Sequence, residues 1–293
     1  MTPRALVIGG GGMLGHQVWR ALDARFETRA AVREWRPAFG RVGPRAREQA
    51  IEGVDARRFD TVERALAEFR PHFVVNAAGV VKQAAAATDP IASIEVNALF
   101  PHRMAAACEA VGAKLAHVST DCVFSGRKGR YTETDEPDPI DLYGRTKLLG
   151  EPGGGALTLR TSIVGRELDT AHGLVEWFLS NRGGRVRGFS RAVFSGLSTG
   201  VLAVLIADIL ERRPDLSGLH HVAAERIDKH ALLTLLNEAY GAGVEIEPDD
   251  DVVIDRSLDG RAFAAATGFR APPWAEMIEA MAAEDAAYAG ARA

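Results

Sequence analysis

Cysteine is scarce in this chain of 293 residues, with Cys108 and Cys122 as its only thiols. Two isolated cysteines make neither a disulfide framework nor a metal-ligand spacing, so we expect a reducing location, the cytoplasm. An excess of one charge is also missing, because 35 basic residues stand against 39 acidic ones. That balance gives no general attraction to nucleic acid or to an anionic membrane, and we expect neither as a partner.

Long apolar runs are missing too. The run that starts at Ala5 is soon broken by glycines, and no basic leader precedes it. The longest later run, residues 201–210, is interrupted by Asp208. A membrane-spanning helix needs about 20 apolar residues, so we expect neither a span nor a secretory signal.

Apolar runs do alternate with amphipathic stretches through the first half of the chain. Strands are predicted at residues 5–8, 28–32, 73–76, 114–119 and 157–162, and helices at 13–24, 61–69, 90–111 and from 143 onward. Pro101 should kink or split the helix over 90–111. Strands alternating with helices predict an α/β fold, a Rossmann-type doubly wound parallel sheet.

The second half is less regular. Helices are predicted at residues 174–180, 199–211, 229–240 and 273–288, a late strand at 219–222, and an acidic turn at 247–251. We therefore expect an NAD(P)-binding domain over residues 1–164, joined by a returning helix and strand near 199–223. Residues 165–293 should mainly form a smaller, C-terminal substrate-binding lobe.

A glycine motif follows the first predicted strand. Gly9, Gly12, Met13, Leu14 and Gly15 fit the spacing G-x-x-G-x-x-G between a strand and a helix. Such glycines permit a tight turn and a close approach of the backbone to a pyrophosphate at a helix N-terminus. A flexible loop is the alternative, but the position after the first strand favours a dinucleotide site.

The end of the second strand bears on the choice of dinucleotide. An acidic residue there would bind the ribose 2′-hydroxyl of NAD, whereas here Arg33 comes before Glu34. Arg33 could stack on adenine or pair with a 2′-phosphate; alternatively it is solvated and Glu34 meets the ribose. We favour NADP(H) over NAD(H).

Tyr143 and Lys147 are four residues apart on a predicted helix. That spacing places both on one side of the helix, where the ammonium should lower the pKa of the phenol toward the range useful for proton transfer. Thr120, at the end of a predicted strand, could hold the substrate oxygen. The three residues indicate hydride transfer on an alcohol–ketone pair.

Taken together, these motifs resemble a known family. Residues 9–15, 76–79, 96–98, 119–124 and 143–151 follow one another as in extended short-chain dehydrogenases/reductases. Within that superfamily the chain is most similar to the dTDP-4-dehydrorhamnose reductase-like sugar-nucleotide enzymes. The resemblance covers most of the chain and is strongest through Glu151.

The resemblance implies roles for single residues. Thr120 would be the hydroxyl partner, Tyr143 the proton donor and Lys147 the residue that holds the nicotinamide ribose. Asp60 would approach the adenine, while Ala77, Ala78 and Gly79 would line the cofactor. Two departures affect the substrate pocket: Cys122 stands where the family often has tyrosine, and residues 80–83 replace the usual segment.

The sequence also offers candidates for contact with the substrate. We expect contacts from Lys82, Thr120, Asp121, Arg191 and Arg256, since guanidinium groups match the geometry of a diphosphate. No metal site is expected. His220 and His221 are adjacent on a strand and should face opposite ways, and the acidic run at 249–251 lacks the spacing of a calcium loop.

The function expected is an NAD(P)H-dependent reductase of a nucleotide-linked 4-keto-6-deoxy sugar, in the synthesis of cell-surface polysaccharide precursors. A nucleotide-sugar epimerase or dehydratase with tightly held NAD is one alternative. A non-catalytic regulatory subunit, like that of methionine adenosyltransferase, is another. A homodimer is possible.

Overall fold

A computed structural model of the chain describes residues 2–81 and 89–288. In chain order its strands are β1 (Arg4–Ile8), β2 (Glu27–Ala31), β3 (Ala50–Ile51), β4 (Phe73–Asn76), β5 (Lys114–Thr120), β6 (Leu157–Thr161), β7 (Ile163–Val164), β8 (Arg185–Phe189), β9 (Ala192–Phe194), β10 (Leu197–Ser198), β11 (Gly218–His221), β12 (Ile227–Asp228), β13 (Glu245–Asp249) and β14 (Ile254–Asp255).

The helices alternate with these strands. They are α1 (Gly15–Asp23), α2 (Ala46–Gln49), α3 (Phe59–Phe69), α4 (Pro90–Ser93), α5 (Phe100–Val111), α6 (Leu142–Leu149), α7 (Leu174–Ser180), α8 (Thr199–Arg212), α9 (Lys229–Tyr240), α10 (Arg261–Thr267) and α11 (Trp274–Ala283). Short 3₁₀ turns cover Pro37–Val42, Asp121–Val123 and Asp285–Ala287, and a π-helical stretch, Ile94–Leu99, joins α4 to α5.

Seven strands form one parallel sheet in the order β11-β6-β5-β4-β1-β2-β3. Its central strands are buried on both faces because helices cover both sides: α1 packs against α8 on one, and α3 against α5 on the other. The predicted fold class is confirmed. From β1 the chain adds β2 and β3 on one side and then returns to add β4 on the other, so the strand order reverses between β1 and β4. Ligands of such sheets bind at that switch point.

Beyond β6 the chain forms three small sheets beside the main one: β10-β7, β12-β9-β14 and β13-β8. Side-chain caps begin two of the helices in this half, because Ser198 accepts from the Val201 amide and Asp228 from the Ala231 amide. None of the helices in the two described ranges is long and apolar enough to cross a membrane.

One expectation about local structure is confirmed and one needs correction. The stretch over 90–111 is divided into α4, the π-helical stretch and α5, and Pro101 lies in the first turn of α5, where its missing N–H is tolerated. The acidic run at 247–251 is a turn only in its last part. Its first residues belong to β13, because Arg185 and Arg187 on the neighbouring β8 supply the opposite charge.

Candidate active site

A cavity of about 1270 Å³ opens at the carboxyl ends of the central strands β1, β4 and β5. It starts at the glycine loop after β1, passes the ends of β4 and β5, and continues to side chains from the C-terminal half, among them Lys229 and Arg256. The cavity lies at the switch point of the sheet, where a dinucleotide and a second ligand can meet.

The glycine loop forms the first wall of this cavity. Gly9 has φ +82°, and a Cβ at this position would lie 2.8 Å from the amide nitrogen of Ala78, so only glycine fits between the two strand ends. Gly9, Gly12, Met13 and Leu14 line the cavity, whereas Gly15 begins α1 outside the lining. Backbone exposed in this way fits the pyrophosphate of a dinucleotide.

The residues that would contact the adenosine of a dinucleotide lie at the far end of this wall. Arg33 and Glu34 follow β2 and line the cavity, and within the described ranges neither side chain has an ion-pair or hydrogen-bond partner. Asp60 does not line the cavity: it is exposed on α3, 3.6 Å from Arg64. Asp55 lines it instead. The sequence does not single out Asp55, although it directly follows an apolar Val54.

Two asparagines hold the wall that follows β4. The side chain of Asn76 accepts a hydrogen bond from the Ala78 amide at 3.1 Å. Asn97, in the π-helical stretch, accepts from the Val80 amide at 2.8 Å and donates to the Val80 carbonyl at 3.0 Å. Ala77, Ala78 and Gly79 are thereby fixed as cavity wall.

Thr120, Tyr143 and Lys147 meet where β5 and α6 border the cavity. Thr120 ends β5, and its hydroxyl accepts from the Cys122 amide at 3.1 Å and donates to the Asp121 carboxylate at 3.2 Å. Lys147 lies one helical turn after Tyr143 and donates to the Val118 carbonyl at 2.7 Å. The structure therefore brings the three predicted residues to one point.

The protonation states differ from our expectation for Tyr143. Burial raises its pKa, helped by Cys122 and Asp121, while the hydrogen bond from Thr120 only partly offsets this. The expected lowering by Lys147 was wrong, because its ammonium points to the Val118 carbonyl. Burial lowers the pKa of Lys147 to about 8. At neutral pH the phenol is protonated, which is the state that a proton donor needs.

Two close backbone contacts fix helix α6, one directly after the tyrosine and one three residues after the lysine. A Cβ on Gly144 would collide with the Cys122 carbonyl oxygen, and one on Gly150 with the Asn97 carbonyl oxygen. Asp141 caps the helix by accepting from the Gly144 amide at 2.8 Å. The backbone therefore sets the position of the helix.

A buried ion pair lies behind β5. Arg160 on β6 donates to both carboxylate oxygens of Glu151, at 2.8 and 2.6 Å, and Ser119 donates to the same carboxylate at 2.5 Å. The Glu151 carboxylate partly opposes the lowering of the Lys147 pKa. The Glu151 carboxylate thus contacts Ser119 on β5, the strand that ends in Thr120, and also affects the pKa of Lys147 on α6.

The far end of the cavity lies between β5 and the C-terminal half. Asp121 and Cys122 line one side, and burial raises the pKa of Cys122 to about 12, which makes it a neutral thiol. Arg256 donates to the Phe124 carbonyl at 3.0 Å from the other side. Lys229 lies there too, and nothing in the sequence around it had identified it.

The remaining predicted substrate residues lie elsewhere. Arg191 is exposed and does not line the cavity, and Lys82 falls outside the described residues. Among the other arginines of the second half, Arg185, Arg187 and Arg261 pair with carboxylates of their own neighbourhood. Within the described ranges no group of side chains could hold a metal ion.

Comparison with known proteins identifies a family whose model matches the chain. The family model described as the RmlD substrate binding domain matches residues 3–286 of the chain. The match therefore includes the glycine loop, β5, α6 and nearly all of the C-terminal half.

Curated relatives fall into two kinds. A dTDP-4-dehydrorhamnose reductase from Burkholderia thailandensis is 36% identical over 167 residues, which are 55% of this chain and 50% of the relative. The methionine adenosyltransferase 2 subunit beta of Rattus norvegicus is 31% identical over 57% of this chain and 48% of the relative. The chain thus spans about half the length of these relatives. A probable low-salt glycan biosynthesis reductase, Agl14, from Haloferax volcanii is 32% identical over 75% of this chain and 74% of its own.

Solved structures share the fold. A dTDP-4-dehydrorhamnose reductase from Bacillus anthracis, in complex with NADP, has a TM-score of 0.80 at 20% identity and covers 97% of this chain and 100% of its own. The Bordetella bronchiseptica enzyme WbmG, in complex with NAD, has a TM-score of 0.80 at 20% identity and covers 98% and 95%.

Proposed function

The chain belongs to the RmlD substrate binding domain family, within the extended short-chain dehydrogenases/reductases, and from that premise we propose that it is an NAD(P)H-dependent reductase of a nucleotide-linked 4-keto-6-deoxy sugar. Its product would serve the synthesis of cell-surface polysaccharide precursors. One observation carries the proposal: Thr120, Tyr143 and Lys147 converge in the same cavity that the glycine loop lines.

The geometry supports a division of roles in the reduction. A reduced nicotinamide supplies a hydride when it is bound. Thr120 donates a hydrogen bond to the ketone oxygen, which strengthens as charge develops on that oxygen. Tyr143 transfers its proton to the oxygen and becomes a phenolate. Lys147 would hold the ribose hydroxyl groups of the cofactor, in exchange for its bond to the Val118 carbonyl.

We propose NADP(H) as the preferred cofactor. Arg33 lines the adenosine end of the cavity, and within the described ranges no carboxylate neutralises it, so its guanidinium can meet a 2′-phosphate. Glu34 lines the same end and would favour the ribose of NAD. Of the two solved structures named above, one is in complex with NADP and the other with NAD.

The substrate would lie between the two parts of the chain. We propose that residues 1–164 hold the cofactor, with α8 and β11 returning to their sheet, and that residues 165–293 mainly bind the nucleotide sugar. Arg256 supports this, because it reaches the cavity from the second part. The cytoplasmic location stays a prediction.

We also propose a homodimer. Ile91 on α4 and Leu149 on α6 are 65% and 66% exposed, and these two helices pack side by side. Large exposed apolar side chains on adjacent helices suit a contact between two copies. Sedimentation velocity of the protein and of a Leu149→Glu variant would test this, since the variant should sediment as a monomer.

The subunit beta relatives support one different function, that of a regulatory subunit. The experiment that separates the two follows NADPH oxidation with a nucleotide-linked 4-keto-6-deoxy sugar and identifies the product by NMR. Turnover to a reduced sugar, abolished in Tyr143→Phe, supports the reductase. A product isomerised or dehydrated without net NADPH consumption would favour an epimerase or dehydratase. No turnover on any sugar nucleotide, with stable capture of an adenosyltransferase, would favour the regulatory subunit.

A further inference from the structure

A buried chain of hydrogen bonds leads from the glycine loop to Tyr288. The Nδ1 atom of His16, the second residue of α1, lies 2.9 Å from the Gly12 carbonyl oxygen. Its Nε2 atom lies 2.7 Å from the Tyr288 hydroxyl, which also accepts from the Gln17 side chain at 2.8 Å. His16 and Tyr288 are only 1% and 5% exposed, so water competes little for these hydrogen bonds.

The direction of each hydrogen bond follows from its partners. The Gly12 carbonyl can only accept, so the ring proton of His16 is on Nδ1. Burial lowers the pKa of His16 to about 4, so at neutral pH the ring is neutral and Nε2 carries no proton. Burial also raises the pKa of Tyr288, so its hydroxyl keeps the proton that it donates to Nε2. Tyr288 therefore holds the ring in the tautomer that donates to Gly12.

Gly12 is a position where the backbone needs such a restraint. Its carbonyl oxygen accepts from the His16 amide at 3.1 Å as well as from the ring, so both of its lone pairs are used. Glycine changes its backbone angles at little cost, so without the ring the peptide group between Gly12 and Met13 would rotate more easily. Such a rotation would turn a carbonyl oxygen toward the cavity, where it would repel an anionic pyrophosphate.

The same peptide group sets the direction of the Met13 amide. No peptide bond in the described ranges is cis, so the N–H of Met13 points opposite to the Gly12 carbonyl and away from α1. This N–H has no backbone acceptor in the part of the chain that the structure describes, and both residues line the cavity. An amide that is free at the N-terminal end of a helix is a donor for a phosphate oxygen.

Tyr288 is itself held in place by charged neighbours. The Arg166 guanidinium lies over its ring, 4.8 Å from the centroid, and pairs with Asp285 in the preceding 3₁₀ turn. Arg20 of α1 pairs with Glu284 at 3.0 Å, directly before that turn. These contacts fix the tyrosine hydroxyl relative to α1 and hence relative to His16.

We propose that His16 and Tyr288 are positioning residues for the cofactor, which hold the peptide group between Gly12 and Met13 with its N–H, and not its carbonyl, toward the pyrophosphate of the dinucleotide. Neither residue lines the cavity, so each acts through Gly12. The inference rests on the dinucleotide site of the proposed function but not on its sugar substrate. Every measurement is therefore made without a sugar.

A set of single variants separates positioning from packing. Tyr288→Phe keeps the ring and removes the hydroxyl that fixes the His16 tautomer. His16→Asn keeps a donor at the place of Nδ1, next to Gly12, whereas His16→Gln moves the amide to the place of Nε2. Tyr240→Phe is the matched control: Tyr240 also faces Arg166, at 5.6 Å, and within the described ranges its hydroxyl bonds neither His16 nor the glycine loop.

Binding of the dinucleotide is the first measurement. NADPH and NADH are each titrated by fluorescence, and the one that the unchanged protein binds more tightly is followed in the variants. Tyr288→Phe should weaken its binding roughly three- to tenfold, the loss of one neutral hydrogen bond, and His16→Gln by about tenfold. His16→Asn should retain most of the affinity, and adding Tyr288→Phe to it should cost nothing further. Tyr240→Phe should bind as the unchanged protein does.

Nitrogen-15 NMR of the histidine-labelled protein, without any ligand, reports the tautomer. The signals of His16 are those that are absent from His16→Asn. In the unchanged protein Nδ1 should have the chemical shift of a protonated ring nitrogen and Nε2 that of an unprotonated one. Tyr288→Phe should move both shifts toward the opposite tautomer, and Tyr240→Phe should leave them in place.

The proposal fails if Nε2 carries the proton in the unchanged protein, if Tyr288→Phe leaves the affinity unchanged, or if no dinucleotide binds. It also fails if His16→Asn weakens binding as much as His16→Gln, since the ring would then supply packing and not a donor. Circular dichroism reports folding, and Tyr288→Phe with the NMR signals decides if a His16 variant does not fold. A protein that binds the dinucleotide through His16 but reduces no sugar nucleotide retains the positioning residues and loses the reductase activity.

Discussion

The buried pair of Glu151 and Arg160 gives the sharpest quantitative prediction. Their side chains are only 10% and 4% exposed, so solvent screens the two charges little. Glu151→Gln keeps the shape of the side chain and an acceptor for Ser119, but it leaves the Arg160 guanidinium buried without a counter-charge. Removing one partner of such a pair costs about 3–5 kcal/mol of unfolding free energy. Since a domain is stable by about 5–15 kcal/mol, the variant should fold yet unfold at clearly lower urea.

The assay is urea unfolding at equilibrium, followed by circular dichroism and tryptophan fluorescence to check for a single transition. A second variant, Arg160→Met, and the double variant complete a thermodynamic cycle. The double variant leaves no unpaired charge, so it should lose less than the sum of the two single losses, with a coupling energy of about 2–3 kcal/mol. A loss under about 1 kcal/mol for Glu151→Gln, or strictly additive losses, would refute the reasoning.

Three further predictions concern the site. Tyr143→Phe should lower turnover of a nucleotide-linked keto sugar by roughly 10²- to 10⁴-fold, the contribution of a positioned acid, with NADPH affinity unchanged in a fluorescence titration; full activity would remove Tyr143 from its role. The protein should bind NADPH more tightly than NADH, and Arg33→Ala should narrow the gap, whereas equal affinities in the unchanged protein would leave Arg33 a surface residue. The pKa of Lys147 is about 8 in the folded chain against a usual 10.5, so between these values the unfolded chain binds more protons and stability rises with pH. The Lys147→Met variant should lack this gain in unfolding free energy, which is about 3 kcal/mol. A difference in unfolding free energy between the two proteins that stays constant across that pH range would contradict the prediction.

Much of the fold could be predicted because its signals are local. Three elements begin and end at the predicted residues, namely Phe73–Asn76, Leu174–Ser180 and Lys229–Tyr240. Apolar runs define the buried strands, and Asp228 and Gly241 mark the two ends of α9, the latter with φ +53°. The glycine loop and the pair of Tyr143 and Lys147 are equally local, since each depends on spacing within one element.

What could not be predicted depends on distances between elements. Asp55 and Asp60 are both near the third strand, but β3 is only two residues long and gives no signal of which aspartate faces the cavity. The pKa of Tyr143 is raised mainly by burial. The direction of the Lys147 ammonium, toward the Val118 carbonyl, is visible only in the fold. Lys229 comes from a distant helix, where its position in the sequence suggests nothing but a surface residue.

The two backbone contacts at Gly144 and Gly150 have a practical consequence for protein engineering. Because main-chain atoms hold α6 against the residues beneath it, the outward side chains of this helix take no part in setting where Lys147 lies. Arg145 is exposed and can be exchanged, labelled or attached to a support while the chemistry below is left as it is. Among related sequences we therefore expect position 145 to vary more than its neighbour Gly144, where a Cβ has no room.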